Sequence, residues 1–505
     1  MPGVSVLWPV GAAEQLVVDG AVVADLNIGR VLDAIVGDDG YGVRGWFERP
    51  VRDVEVVRFR QEVFADLGDD AVRAVFEEFA VGMRTVRELL AERGRQHHPA
   101  HRQRWQLAAA AEYVDGVVWL GGALETLPLA SRALVRWREF VAAYVAGAEF
   151  GGLVAAVRRV REALDGVRYS IRIVDRTLEV DAADGTADYS ATIADLFSRF
   201  GTRPPQPARQ RPESDDMSQM EEQILDRVAA VHPDVFGQLG EFACNYENFA
   251  ADAVLRFDRE IQFYLTYLAF TRRVGGAMCL PHLASPGAPI HAEDAFDLAL
   301  LTRRDRTDDT VVPNDFRLSG PERVLVVTGP NQGGKTTFAR TVGQLVYFAA
   351  LGCPVPARSA CLPLPDRLFT HFERAEQATD PDGRLAEELV RIRDTLANAT
   401  AGSVVILNES FSATGAADAV RMGRDVLDRI VEHGSIAVWV TFFDELARSG
   451  PATVSMVATT DPDDPSRRTY RIERRPADGE AHAVVLAERF GLTYDLVTAR
   501  IASCG

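Results

Sequence analysis

The apolar run RVLVVTG leads directly into GPNQGGKTTFAR, and this junction constrains the chain more than any other stretch. Gly329-Pro330-Asn331-Gln332-Gly333-Gly334-Lys335-Thr336 satisfies GxxxxGK[ST] in full. In such a loop the glycines let backbone N–H groups turn inward around phosphate, the lysine reaches the terminal phosphates, and the hydroxyl is offered to Mg²⁺. The loop works only between a strand and a helix, because a helix N-terminus supplies free N–H groups and the positive end of a dipole. The sequence predicts both, with the helix over 335–350. The expected ATP contacts are therefore Gly329, Pro330, Asn331, Gln332, Gly333, Gly334, Lys335, Thr336 and Thr337.

About seventy residues later SVVILNES ends a second buried strand. A carboxylate there orients water toward a γ-phosphate, which makes Glu409 the candidate base beside Lys335; the alternative is that Glu409 only caps the strand end. Asn408 stands where many such enzymes carry an aspartate for Mg²⁺, and it offers an oxygen without the charge. Thr336 and Asn408 are the expected metal contacts, with ATP and Mg²⁺ as cofactors. A third strand, SIAVWVTFF, brings Thr441 toward the same edge, where ligands collect on open α/β sheets. Phe442 and Phe443 read as packing residues, and Asp444 and Glu445 as acids opening a helix.

Strands alternating with helices from Val311 onward describe a mainly parallel sheet covered on both faces. Before it, from about Val51, apolar residues recur three and four apart through long stretches, including 103–129, 131–166, 217–232 and 237–272. Tyr169–Val180 alternates around an Asp-Arg turn and predicts a small hairpin, while Pro204–Asp216 reads as surface loop. The expected organisation is a small N-terminal segment (1–50), a helical core or lever region (51–280) with a reduced clamp placed at 169–200, and a P-loop ATPase domain (281–505).

A composition of 47 % hydrophobic and 25 % charged residues supports real cores. Five cysteines, Cys244, Cys279, Cys353, Cys361 and Cys504, have neither ligand spacing nor disulfide density, so reduced cytoplasm is the expected location. The first residues lack a signal-peptide pattern, and no uninterrupted apolar run reaches bilayer length, so no membrane association is expected. The net charge of −18 argues against a globally basic nucleic-acid binder. His97 and His101 are separated by Pro99, which breaks a helical metal face. Phe249, Phe263 and Phe270 fit core spacing, and His433 fits a helix C-terminus.

Together GPNQGGKTT, LNESFSATGAADA, VTFFDEL, and DRLFTHFERAEQ followed by LAEELVRIRDTLANAT resemble the ATPase domain of the MutS family of DNA mismatch-repair and recombination ATPases. The helical region is similar to that family's core and lever more loosely, most clearly at VVRFRQEVFADL. The resemblance implies an ABC-like P-loop fold, MutS type, preceded by a mainly helical region with a small β insertion. It also implies a homodimer in which each nucleotide is closed over by the partner subunit. Glu409 matches the catalytic glutamate, Thr414–Asp418 the dimer-facing loop, and Asp380–Glu388 the segment reaching the opposite phosphate. The 311–318 stretch matches the bend around adenine, with Asn314 or Phe316 as base contacts or ordinary β-edge residues.

Four departures accompany the resemblance. Asp-Glu is Asn408-Glu409; the Ser/Thr-rich part of the trans-acting segment is Gly383-Arg384-Leu385-Ala386, leaving Thr379 or Arg384 to make that contact; the usual histidine is Phe442, which cannot polarise water. The fourth is that the first fifty residues hold no mismatch reader. The resemblance thus implies a dimeric ATP switch acting on DNA without sequence specificity, with Arg102, Arg104, Arg158, Arg159, Arg203, Arg209 and Arg211 as phosphate contacts or plain solvated surface. The alternative is a nucleotide-gated scaffold that binds a protein partner, with slow or no hydrolysis.

Overall fold

VLVVT, VVILN and IAVWV have no polar interior and are satisfied only where both faces of a sheet are covered. A computed structural model describes residues 4–9, 14–18, 20–174, 177–183, 219–285, 287–302, 311–373, 381–412, 414–461, 463–464, 467–477 and 498. It places these three strands side by side near the middle of a seven-stranded sheet.

In chain order the elements begin with β1 (Val17–Val18), α1 (Gly20–Asp25), α2 (Ile28–Val36), α3 (Arg44–Phe47), α4 (Val54–Asp66), α5 (Asp70–Arg95) and α6 (Pro99–Thr126). They continue with α7 (Arg132–Val145), α8 (Ala148–Asp165), β2 (Tyr169–Val174), β3 (Thr177–Ala182), α9 (Gln219–Val231), α10 (Pro233–Asn245) and α11 (Asp252–Val274). Next come β4 (His282–Leu283), β5 (Ile290–Ala295), α12 (Leu298–Leu301), β6 (Asn314–Leu318), β7 (Val324–Thr328), α13 (Lys335–Ala350), β8 (Ser359–Leu362) and β9 (Arg367–Phe372). The last are α14 (Pro381–Asn398), β10 (Val404–Asn408), α15 (Ala416–His433), β11 (Ile436–Val440), β12 (Thr453–Thr460) and β13 (Arg468–Arg474).

The large sheet runs β1-β9-β10-β11-β7-β12-β13 and is parallel except where β13 returns against β12. Alternation sorts its side chains. Val324, Val326, Val405, Leu407, Ala437 and Trp439 share a core with Ile392 and Leu396 of α14 and Val426, Leu427 and Ile430 of α15. Burying a side chain the size of Leu427 or Ile430 contributes about 1.5–3 kcal/mol. Ile406 points the other way, toward α13, where it meets Gly343. A second sheet, β4-β8-β5-β6, completes this part of the chain.

By its contacts the chain forms two units: 5–68 with 130–133 and 259–505, and 1–4 with 69–129 and 134–258. Contacts therefore group residues 5–68 with the sheet, across the boundary at 50 drawn from the sequence. The physical reason is a row of hydrogen bonds along α13. Arg340 Nε donates to the Asp25 carbonyl (2.8 Å), Gln344 Nε2 to that of Leu26 (2.9 Å), and the Tyr347 hydroxyl to that of Phe47 (2.8 Å). At the helix end the Val51 N–H donates to the Ala350 carbonyl (2.9 Å), and the fully buried Arg60 donates through Nη1 to that of Leu351 (3.1 Å). A cation there also meets the negative end of the helix dipole.

In the other unit, Asp69 caps α5 by accepting from the N–H groups of Ala71 and Val72. Trp137 stacks on Phe257 with ring centroids 3.9 Å apart. The hairpin expected at 169–180 is present as β2 and β3, paired from Tyr169↔Ala182 to Val174↔Thr177. The continuous helix expected over 237–272 is two helices instead, because Tyr246 leaves helical geometry at φ −120°. Among the described residues one helix, α6, is long and apolar enough to cross a membrane by length and composition, although the sequence suggested no such run; half of its most apolar window is buried.

Candidate functional site

Strand register builds the site. Asn408 lies opposite Val440, and Val440 opposite Val327, so the next residues of all three strands emerge at one edge. The Glu409 N–H donates to the Val440 carbonyl (2.8 Å) and the Thr441 N–H to that of Val327 (3.0 Å). The loop after β7 and the turn after β10 are thus brought to the same end of the sheet, as the pattern of buried strands predicted.

The loop itself is fixed by sterics. Gly329 has φ +113°, and a Cβ there would lie 2.8 Å from the Ala458 carbonyl oxygen on β12. Gln332 also has positive φ, at 60°, and Gly334 at 91° is the residue before α13. The Gly333 N–H donates to the Pro330 carbonyl (3.3 Å), closing a turn within the loop.

Lys335 is 4 % exposed, and its Nζ donates to the carbonyls of Gly329 (2.9 Å) and Pro330 (3.0 Å). The Phe442 ring lies 4.9 Å from the same Nζ, a cation–π distance. Burial lowers the Lys335 pKa, with Arg468 adding to the fall and Glu409 opposing it. The Thr336 hydroxyl donates to Asn408 Oδ1 at 2.9 Å, and Asn408 is buried. Burial raises the Glu409 pKa, Lys335 offsets part of that, and Glu373 reinforces it. Lys335, Thr336, Asn408 and Glu409 therefore lie in one constellation, while Thr337 continues into α13, its carbonyl accepting from Thr341.

The turn after β10 is strained. Glu409 has φ 57° and Phe411 φ 66°, left-handed values that cost on the order of 1–3 kcal/mol each for side chains of this kind. Phe411 is 1 % exposed against Trp439, and its N–H donates to Glu388 Oε1 at 2.9 Å. Glu388 Oε1 also lies 3.1 Å from His371 Nε2.

The sequence left Asn314 and Phe316 open as base contacts or ordinary β-edge residues. Phe316 is buried and meets Phe338 edge-on, which favours the structural alternative. Asn314 is occupied: its Nδ2 donates to the Tyr470 carbonyl (3.1 Å) and its Oδ1 accepts from the Ile472 N–H (2.7 Å). Phe443 packs on the core, whereas Phe442 is 44 % exposed over the lysine. Phe249, Phe263 and Phe270 are buried, as their spacing predicted. Arg102, Arg104, Arg158 and Arg159 are exposed. Thr379, Asp380, Arg203, Arg209, Arg211, Cys504 and the clamp segment 184–200 lie outside the described residues, and Gly383 and Arg384 fall in the first turn of α14.

Three neighbours of the loop escaped the sequence reading. Arg468 Nε donates to the Asn331 carbonyl at 3.1 Å. Tyr470, half exposed with φ 59°, stands beside Gly334, where a Cβ would come within 3.7 Å of its ring. Glu373 sits just past β9 and accepts from the Ser412 hydroxyl at 3.2 Å. An aromatic between arginines in RRTYRIERR was the available signal for Tyr470, but only the antiparallel return of β13 puts it at the loop.

Residues 325–480 match the family model for MutS domain V. Over 193 residues the chain is 28 % identical to the DNA mismatch repair protein MutS of Streptococcus pneumoniae (strain Hungary19A-6), covering 37 % of this chain and 23 % of that protein. Over 142 residues it is 35 % identical to the DNA mismatch repair protein MSH3 of Phaeosphaeria nodorum, covering 28 % of this chain and 13 % of that protein. The match spans less than a quarter of the length of these relatives. A MutS-family homology region thus accounts for about a third of the chain, and it coincides with the sheet edge just described.

Proposed function

We propose that the chain binds ATP with Mg²⁺ at the loop 329–336, hydrolyses it slowly, and works as a dimeric switch of the MutS type on DNA. The observation that carries this reading is the convergence of Lys335, Thr336, Asn408 and Glu409 at one sheet edge. A triphosphate would accept from backbone N–H groups of the loop and from Lys335, which would exchange its two carbonyl partners for phosphate oxygens. Thr336 and Asn408 fit Mg²⁺ as oxygen donors, and the metal would neutralise charge shared by the β- and γ-phosphates. Both donors are neutral, so the fit is weak. Glu409 would orient water, and its raised pKa suits a group that accepts a proton. Tyr470 offers its ring to the base.

Phosphate release with Mg²⁺, compared between wild type and Lys335→Ala while duplex and branched DNA are titrated, tests the proposal. Lys335-dependent release that responds to DNA supports it. Lys335-dependent release indifferent to every DNA supports a second reading, a nucleotide-gated scaffold for a protein partner. That reading is favoured by the neutral Asn408, the apolar Phe442 and the net charge of −18.

A further inference from the structure

The carboxylate proposed to orient water stands on a left-handed backbone at Glu409, followed by another at Phe411, and such geometry has to be held by its surroundings. The Ser410 hydroxyl is buried without a hydrogen-bond partner among the described residues. Besides the Val440 carbonyl that takes the Glu409 N–H, a carboxylate reaches the turn from outside. Glu388, on α14, accepts the Phe411 N–H at 2.9 Å on the same oxygen that faces His371 Nε2 at 3.1 Å. The pair is sheltered, with side-chain exposures of 15 % for Glu388 and 4 % for His371. An ionised carboxylate only accepts, so the ring serves Glu388 as an Nε2–H donor, while the His371 Nδ1 has no partner among the described residues. His371 sits on β9, in register with Leu407 of β10, so the donor is fixed by the sheet.

We infer that Glu388, oriented by His371, is a positioning residue: it holds the Phe411 N–H, pins the left-handed turn, and so aims the Glu409 carboxylate. The inference rests on the reading of Glu409 as the water-orienting group. It couples α14 to the candidate catalytic turn through a single acceptor oxygen. A strained turn persists only where its surroundings over-determine it, and removing this acceptor leaves a buried N–H unpaired.

The test compares wild type, Glu388→Gln, Glu388→Met and Lys335→Ala in the full chain, using binding of a fluorescent ATP analogue with Mg²⁺, steady-state phosphate release, and amide exchange of the peptide carrying Phe411. Gln keeps an acceptor oxygen; Met keeps the volume and removes it. The expected result for Glu388→Met is kcat lower by about a hundredfold, the scale of a small misplacement of a reacting group, with unchanged analogue affinity and faster exchange at the turn. Glu388→Gln should stay within about threefold of wild type in kcat, since its acceptor is retained. Should Glu388→Met not fold, His371→Leu replaces it, with an expected fall of about tenfold from the loss of one orienting hydrogen bond. Unchanged kcat in the acceptor-free variant, equal losses in Gln and Met, or a wild type without turnover overturns the inference. Analogue binding that survives Lys335→Ala instead overturns the nucleotide reading.

Discussion

The Thr336 hydroxyl donates to the Asn408 amide oxygen across 2.9 Å, so the glycine-rich loop and the end of β10 are joined by a neutral hydrogen bond. Replacing the amide by a carboxylate adds a charged oxygen at the proposed Mg²⁺ site. Asn408→Asp should lower the Mg²⁺ concentration at half-maximal phosphate release by roughly tenfold, equivalent to about 1.4 kcal/mol. A Mg²⁺ titration that superimposes on wild type would place the metal elsewhere.

Tyr470 presents an exposed ring beside Gly334 from a left-handed backbone. If the base stacks there, Tyr470→Ala removes about 1–3 kcal/mol of stacking. KM for ATP should rise by roughly tenfold while kcat stays near wild type, the signature of uniform binding. An equal loss in both constants would assign Tyr470 to the chemistry.

Burial raises the Glu409 pKa despite the attraction of Lys335. A carboxyl with a folded pKa above its unfolded value favours folding below the unfolded pKa, and that contribution is lost as pH rises through the folded value. Above it, the ionised group opposes folding. Glu409→Gln should therefore raise Tm near pH 8 by roughly 1–3 °C, a small effect because the group is partly screened by solvent, while abolishing turnover. The gain should shrink toward pH 4, and a Tm difference independent of pH would contradict the assignment.

Gly352 ends α13 at φ +78°, and a Cβ there would lie 2.8 Å from that of Arg60 and 3.0 Å from the Val57 carbonyl oxygen. Gly352→Ala combines backbone strain with a collision against main chain and should destabilise by about 2 kcal/mol or more. Chemical denaturation followed by tryptophan fluorescence checks this, since Trp439 lies in the core of the same unit.

What the sequence made legible was local. The strand before Gly329, the helix over 335–350 and the buried strand ending at Asn408 carry their own periodicity, and the structure has all three. Pairings between distant residues have no such signature. Nothing in VRFRQEV says that Arg60 closes the end of a helix almost three hundred residues later, and nothing near Thr370 says that its hydroxyl donates to Asp25 at 2.7 Å. His371 and Glu388 stayed hidden for the same reason, because each is an ordinary strand or helix residue until the sheet order puts them on one turn. Phe316 stayed undecided for a different reason: an aromatic in a strand near a loop reads equally well as a strand residue or as a ligand contact, and only its burial against Phe338 separates the two.

The grouping of residues 5–68 with those from 259 onward also sets a timetable. Roughly 190 residues are made between the two pieces, and at about 5–20 residues per second the first waits on the order of 10–40 s for the second. During that interval Val22, Ile28, Val31 and Leu32, all fully enclosed in the finished protein, lack the cover that the later piece supplies. The newborn chain is consequently most vulnerable to aggregation or proteolysis before α13 leaves the ribosome, and fragments cut between the two pieces should inherit that vulnerability permanently.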